Sequence, residues 1–195
     1  MPAIIDSLRR DHRNMEQLLK ILEQELAVFD QGEKPDFGIL SGIVDYFRSY
    51  PDCCHHPKED LIFAKLKERD PDGATVMVDI EVEHSQAHRR LGRLARLIDD
   101  VTNEQEVPRQ VLDEAVADFV THERHHMEIE EREFLPKALE NLTAEDWAEL
   151  DAKITDAKDP LFDPEFEARF ERLAERLRRW EREDQAERAW LSQGR

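Results

Sequence analysis

Residues that punctuate strand-built chains are scarce in this sequence. Its 195 residues include Gly 6 times and Pro 9 times. An all-β fold needs turn residues at short intervals, so this scarcity, beside an abundance of Leu, Glu, Arg and Ala, favours helices. Cysteine occurs only at the adjacent positions Cys53 and Cys54. Neighbouring cysteines rarely pair, so no disulfide framework is expected, and a reducing cytoplasm is the simplest setting. No run approaches the ~20 apolar residues of a membrane span. The opening Met-Pro-Ala-Ile-Ile-Asp lacks the basic stretch and long apolar run of a secretory signal. Positive charge is also short, with 28 Lys and Arg against 46 Asp and Glu and a net charge of −18. Such a surface repels phosphate backbones and anionic lipid, so neither nucleic acid nor membrane is an expected partner.

What the chain does have is helical periodicity. At roughly 150 residues per domain, its length suits one domain with an extension. From about Ile4 to Phe29 the stripe Ile5, Leu8, His12, Met15, Leu19, Leu22, Leu26, Phe29 alternates steps of three and four, the seam of an antiparallel bundle. A second segment starts after Asp36, a candidate N-cap, and carries Leu40, Val44 and Phe47 before Pro51 and Pro57. Proline removes a helix hydrogen bond and biases the residue before it away from helical dihedrals, so a kink or break is expected at His56. A turn at Asp70-Pro71-Asp72-Gly73 precedes a third helix, about Ala74 to Asp100, in which Met77, His84, Leu91 and Ile98 recur every seven residues. A fourth follows Pro108 with the stripe Leu112, Ala115, Phe119, His122, His126, Ile129. Beyond it stand a capped short helix at Thr143 and an amphipathic segment, about Pro164 to Leu191, spacing Phe166, Phe170, Leu173, Leu177 and Trp180. The expected fold is all-α: an antiparallel up-down four-helix bundle over residues 1–140. A C-terminal amphipathic helical extension over 141–195 would pack on the bundle or on a second copy, which makes a homodimer possible.

The 8 histidines fall into groups, one on each long helix: His12; His55 and His56; His84 and His88; His122, His125 and His126. Glu59 follows His55 by four residues, Glu130 follows His126 by four, and His88 follows His84 by four. Residues four apart share a helix face, so each pair can present two donors to one metal or to neighbouring metals. Imidazole suits iron, copper, zinc and nickel, and carboxylates can bridge two ions. At a rise of ~1.5 Å per residue, measured from one end of an up-down bundle, the four groups fall between ~12 and ~22 Å deep. One histidine on an apolar stripe is ordinarily a core residue with a satisfied hydrogen bond. Seven polar groups facing one core at one level need partners, and metal ions answer that need.

The set resembles the hemerythrin family, and within it the bacterial HHE cation-binding domains. The residues that carry the likeness are Asp11-His12-Arg13-Asn14-Met15, His55-His56-Pro57-Lys58-Glu59-Asp60-Leu61-Ile62-Phe63, Glu83-His84-Ser85-Gln86-Ala87-His88, and His126-Met127-Glu128-Ile129-Glu130-Glu131 with Phe134 and Pro136. They span about residues 4–140. The resemblance implies two non-haem irons inside the bundle. It places the donors at His12, His55, His84, His88 and His126, with Glu59 and Glu130 as bridging carboxylates. Manganese or zinc are possible substitutes. The oxygen carriers of the family place an Asp five residues after the last His. Glu130 stands four after His126, as in many HHE proteins, which weakens the case for a dedicated oxygen carrier.

His56 is either a spare donor or a group behind the ligands. His122 is expected to orient a ligand or line an access path, and His125 to face away. Cys53 and Cys54 are expected to be small buried residues.

A histidine-rich site with two carboxylates is less anionic than the Glu-x-x-His sites of ferritin-like bundles, so its oxidised state is less favoured and reversible binding of small ligands is expected. The leading expectation is a cytoplasmic di-iron protein that binds or processes dioxygen, peroxide or nitric oxide, in sensing or detoxification. The alternative is storage or delivery of iron, or repair of iron centres. A regulatory module signalling through the C-terminal helix and a plain metal-free bundle are further readings. No nucleophile–base arrangement is present, and whether the protein is an enzyme stays open.

Overall fold

The computed structural model describes residues 1–71, 75–154, 159–162, 170–180 and 182, with side chains for all of these except 30, 31 and 75–81. Every regular element among them is helical. Helix α1 (Ala3–Ala27) buries Ile5, Leu8, His12, Met15, Leu19, Leu22 and Leu26, the seam that its spacing predicts. Its first two amide groups, on Ala3 and Ile4, donate to the Asp151 carboxylate at 3.1 and 2.9 Å. A carboxylate at a helix N-terminus satisfies orphan donors and opposes the dipole. A 3₁₀ turn (Val28–Gln31) follows α1 and ends at Gly32, whose φ of 78° is the left-handed conformation that glycine adopts without a Cβ clash.

The second rod is composite. Helix α2 (Phe37–Tyr50) starts at Asp36, whose carboxylate accepts from the amides of Gly38 and Ile39 at 2.9 and 3.3 Å. One π turn (Pro51–His55) then leads into α3 (His56–Arg69). The α-helix is interrupted here, by the π turn, but His56 is not driven out of helical geometry. His56 keeps helical dihedrals, φ −54° and ψ −37°, and its amide bonds to the Pro51 carbonyl, five residues back. The wider turn takes up the crowding that the ring of Pro57 would cause in a regular α-helix. Helix α4 (Thr75–Thr102) is the third rod. The fourth repeats the pattern of the second: α5 (Arg109–Ile129), a π turn (Glu130–Phe134) and α6 (Leu135–Asn141). Each π turn ends two residues before a proline, Pro57 or Pro136. Helix α4 packs on α2 and α5, and α1 packs on α5 and α2, which closes a four-rod bundle. No helix among the described residues is long and apolar enough to cross a membrane.

The apolar core is split in two. One cluster joins Ile4, Ile5 and Leu8 to Ile62, Leu66, Phe134 and Leu135. The other runs from Met15 along α1 and includes Tyr46, Tyr50, Leu94 and Phe119. Between them lies a polar layer at the level of residues 11–14, 55–59, 84–88 and 126–130.

Helix α7 (Ala144–Lys153) has the predicted cap, with Thr143 and Asp146 exchanging side-chain and backbone bonds. The described part of the final amphipathic segment is helical over 171–180, here α8. Phe170, Leu173, Ala174 and Leu177 are buried in the same core cluster as α1 and α2, so this stretch spends its apolar face on its own bundle. Phe166 and the stretch from 183 to Leu191 lie outside the described residues. Asp159 anchors the approach to α8. Its buried carboxylate accepts from Tyr46 Oη at 3.0 Å, Asn14 Nδ2 at 3.2 Å and the amides of Leu161 and Phe162 at 2.9 and 3.2 Å. Asp159→Ala leaves those buried donors unpaired. It is expected to cost about 3 kcal/mol, read as a lower urea midpoint with an unchanged slope.

Candidate metal centre

The polar layer gathers donors from all four rods. His12 comes from α1. His55 sits at the end of the first π turn, with His56 and Glu59 in the first turn of α3. His84 comes from α4, His126 from the end of α5, and Glu130 opens the second π turn. π turns recur at functional sites because the extra residue re-aims the side chains beside it. Here both flank a His-x-x-x-Glu pair.

Two groups of potential ligand atoms result, each with its atoms within 4.8 Å of one another: His12, His55, Glu59 and Glu130, and His56, His84 and His126. The carboxylates stand between the groups. Glu130 lies 3.1 Å from His12 Nε2, 3.0 Å from His126 Nε2 and 3.9 Å from His84 Nε2. Glu59 lies 3.5 Å from His55 Nε2 and 3.6 Å from His84 Nε2. Both carboxylates are 0% exposed. Their four oxygens, with the Nε2 atoms of His12, His84 and His126, are buried without a hydrogen bond of proper geometry. Buried polar atoms are normally satisfied. This many orphans converging on one place fits a cation between them, because imidazole nitrogens and carboxylate oxygens are ligands for the same metals.

The electrostatics point the same way. Burial alone would lower the His12 pKa, yet Glu130 and Glu131 raise it from 6.5 to about 9. Glu130 likewise overcomes burial to raise His126. Burial and the facing Glu130 push Glu59 well up. Burial would push Glu130 up too, but the imidazoles of His126, His12 and His84 hold it well below the usual carboxylate range. Without a metal, protons do the work of cations here.

Of the seven predicted ligands, the structure brings six together: His12, His55, Glu59, His84, His126 and Glu130. His88 is not among them. Its side chain is 56% exposed, with Nδ1 at 2.9 Å from the His84 carbonyl and Nε2 at 2.9 Å from Asp52. The position four residues after His84 is turned out of the bundle, and His56 joins the second group instead. His122 does not reach either group. It packs against Glu83, Nδ1 to the carboxylate at 3.2 Å and Nε2 to the carbonyl at 3.0 Å, and so supports α4 just before His84. His125 faces outward as expected. The two cysteines depart from expectation: they are joined to each other in a disulfide within the first π turn, and Cys53 is exposed.

Several partners behind the donors were not singled out from the sequence. Asp11 accepts from His55 Nδ1 at 3.3 Å, Lys58 Nζ at 2.8 Å and Tyr50 Oη at 3.2 Å. Burial opposes its charge, but His55 and Lys58 hold its pKa below the ordinary value. Glu131 holds His12 Nδ1 at 2.9 Å and is itself held by Arg9 at 3.0 Å. Glu123, buried one turn before His126, is pushed up to about 7 by burial and Glu130 despite His126. The available signal was adjacency: Asp11 precedes His12 and Glu131 follows Glu130. A carboxylate on the outer nitrogen of a ligand histidine fixes its tautomer and orientation. Asp11→Asn is therefore expected to weaken metal retention about 10- to 100-fold, read by chelator competition.

The model of the hemerythrin HHE cation binding domain matches residues 3–138. No curated protein and no solved structure matches the chain.

Proposed function

This chain belongs to the hemerythrin HHE cation-binding family, and from that premise we propose that it holds two iron ions and uses them to bind or process dioxygen, peroxide or nitric oxide. Histidine and carboxylate donors in a buried layer make it a metal-binding protein. In the proposed arrangement His12, His55, His84 and His126 hold the metals, and Glu59 and Glu130 lie between them. Bound iron would supply a redox-active Lewis acid with a position open to a small ligand. Manganese or zinc would suit the same donors less selectively.

The observation that carries the choice of ligand is a void beside His56 and His126. It holds about 20 Å³, and Phe47, Ala87 and Leu91 form its apolar wall. A space of this size takes about one water-sized molecule. Its size suits a small ligand such as a diatomic gas or peroxide. The two apolar clusters bound the layer above and below, and Asp11 and Glu131 hold the outer nitrogens of His55 and His12. A separate groove of about 680 Å³ reaches His12, and its wall mixes charges, with Arg9 paired to Glu131, Arg124 to Glu16 and Arg132 to Glu128.

The test is anaerobic loading with Fe(II), removal of unbound metal, and optical spectra before and after dioxygen, peroxide or nitric oxide. About two irons per chain and a new visible absorption with one of the three ligands are expected. Iron that stays spectrally silent towards all three and passes to an apo acceptor would replace this reading with iron delivery. No retained iron would overturn both.

A further inference from the structure

We propose that His56, and not His88, is the fifth nitrogen donor of the metal centre, and that Asp52 and His88 form an outer strap that positions it. The inference rests on the metal-centre reading above and assigns two histidines whose roles the spacing of the sequence reverses.

Three observations support it. First, His56 lies with His84 and His126 in a group whose ligand atoms fall within 4.8 Å of one another. Its ring stacks on that of His84 with centroids 3.9 Å apart and planes 27° apart, and stands 6.4 Å from the ring of His126. Three imidazoles from three rods thus form one face. With the two carboxylates shared between the groups, His12 and His55 serve one side and His84 and His126 the other, and His56 is the imidazole placed to add a fifth nitrogen.

Second, the ring of His56 is oriented from behind. Its Nδ1 faces Asp52 Oδ1 at 3.2 Å. A carboxylate acceptor there holds the proton on Nδ1 and leaves Nε2 with its lone pair free for a metal. The same arrangement recurs at His55 with Asp11 and at His12 with Glu131, both on Nδ1. Three of the histidines in the layer thus carry a carboxylate on the same ring nitrogen.

Third, both nitrogens of His88 are already engaged. Nδ1 lies 2.9 Å from the His84 carbonyl and Nε2 2.9 Å from Asp52 Oδ2, which holds the ring outside both groups of donors. Asp52 therefore bridges the two histidines, one oxygen to each, and ties the first π turn to α4. Asp52 and His88 also line the void beside His56 and His126, so the strap forms part of the wall of the ligand space.

The test compares wild type with His56→Ala, His88→Ala, His88→Gln and Asp52→Asn. Each is loaded anaerobically with Fe(II), and its metal content is read under chelator competition. Each is then loaded with Co(II), whose visible absorption intensity reports coordination number. Wild type is expected to retain about two ions per chain and His56→Ala about one. His88→Ala and Asp52→Asn should retain both, bound about 10- to 100-fold more weakly, with the Co(II) spectrum of wild type. His88→Gln keeps a donor towards Asp52 and should recover most of the affinity. Both His88 variants alter an exposed side chain, so the comparison survives if His56→Ala fails to fold. The inference is overturned, with the metal-centre reading intact, if His88→Ala falls to about one ion per chain with an altered Co(II) spectrum and His88→Gln does not restore it. Wild type that retains no metal overturns the reading itself and the inference with it.

Discussion

Glu130→Ala is expected to empty the metal centre. Glu130 is fully buried and, among the described residues, is the one carboxylate facing imidazoles from three rods, His12 on α1, His84 on α4 and His126 on α5. A residue between both ligand groups serves both ions, so its removal loosens the pair together. Fe(II) retained after desalting should fall from about two ions per chain to almost none. The metal-free protein should suffer too. His12 and His126 owe their raised pKa values to Glu130, and removing one partner of a buried pair costs about 3 kcal/mol or more. A urea titration of the metal-free variant separates this loss from the loss of binding. Glu130→Gln keeps the shape and one acceptor oxygen, so it should fold better than Glu130→Ala while still binding metal weakly. Unchanged metal content in both variants would sink the placement of the centre in this layer.

The second large effect is one of pH, and its sign differs between the metal-free and the loaded protein. His12 has an ordinary pKa of 6.5 in the unfolded chain and about 9 in the folded, metal-free one. A base with a raised folded pKa stabilises fully below its unfolded value, and that contribution is lost as pH climbs through the folded one. The metal-free protein should therefore lose about 3 kcal/mol between pH 6 and pH 9.5 from this group. The proton that stabilises the metal-free form also competes with the metal for Nε2. Apparent metal affinity should rise with pH up to about 9, by at least about tenfold per unit, since ligands must shed protons to bind. Loaded protein has already shed that proton and should show no alkaline loss from His12. Urea midpoints at pH 6 and 9.5, with and without metal, and chelator competition at pH 6, 7 and 8 read both slopes. A metal affinity that is flat across that range would place His12 outside the ligand set.

The helices and most of the side chains that meet in the polar layer were legible because both are written in local spacing. The three-and-four alternation from Ile5 to Leu26 forms one buried stripe, and the cap at Asp36 and the box at Thr143 sit where their residue types put them. His12, His55, Glu59, His84, His126 and Glu130 could be assigned to one level because residues per turn and rise per residue convert sequence distance into depth. Local spacing misled at two positions. Four residues after His84 is the same helix face in a regular helix, but it says nothing of how that face is rotated against the neighbouring rods. His88 lies at the edge of that face and meets Asp52 and solvent. His56, read as bound away from helical geometry by Pro57, stays helical because the π turn before it makes room for the proline ring.

The sequence by itself determined what depends on neighbours a few residues away: an all-helical chain, four histidine-bearing rods, two His-x-x-x-Glu pairs and a net charge of −18. The tertiary structure alone decided what depends on packing between rods. It settled that the carboxylates face each other between two ligand groups, that Asp11 from one rod holds His55 on another, and that 170–177 turns its apolar residues onto its own bundle. It also turned the His88 side chain out towards Asp52 and brought His56 beside His84 and His126. A period fixes which side chains share a face, but the rotation of each rod is set by interdigitation with its neighbours and by the extra residue of a π turn, and neither leaves a periodic trace in the chain.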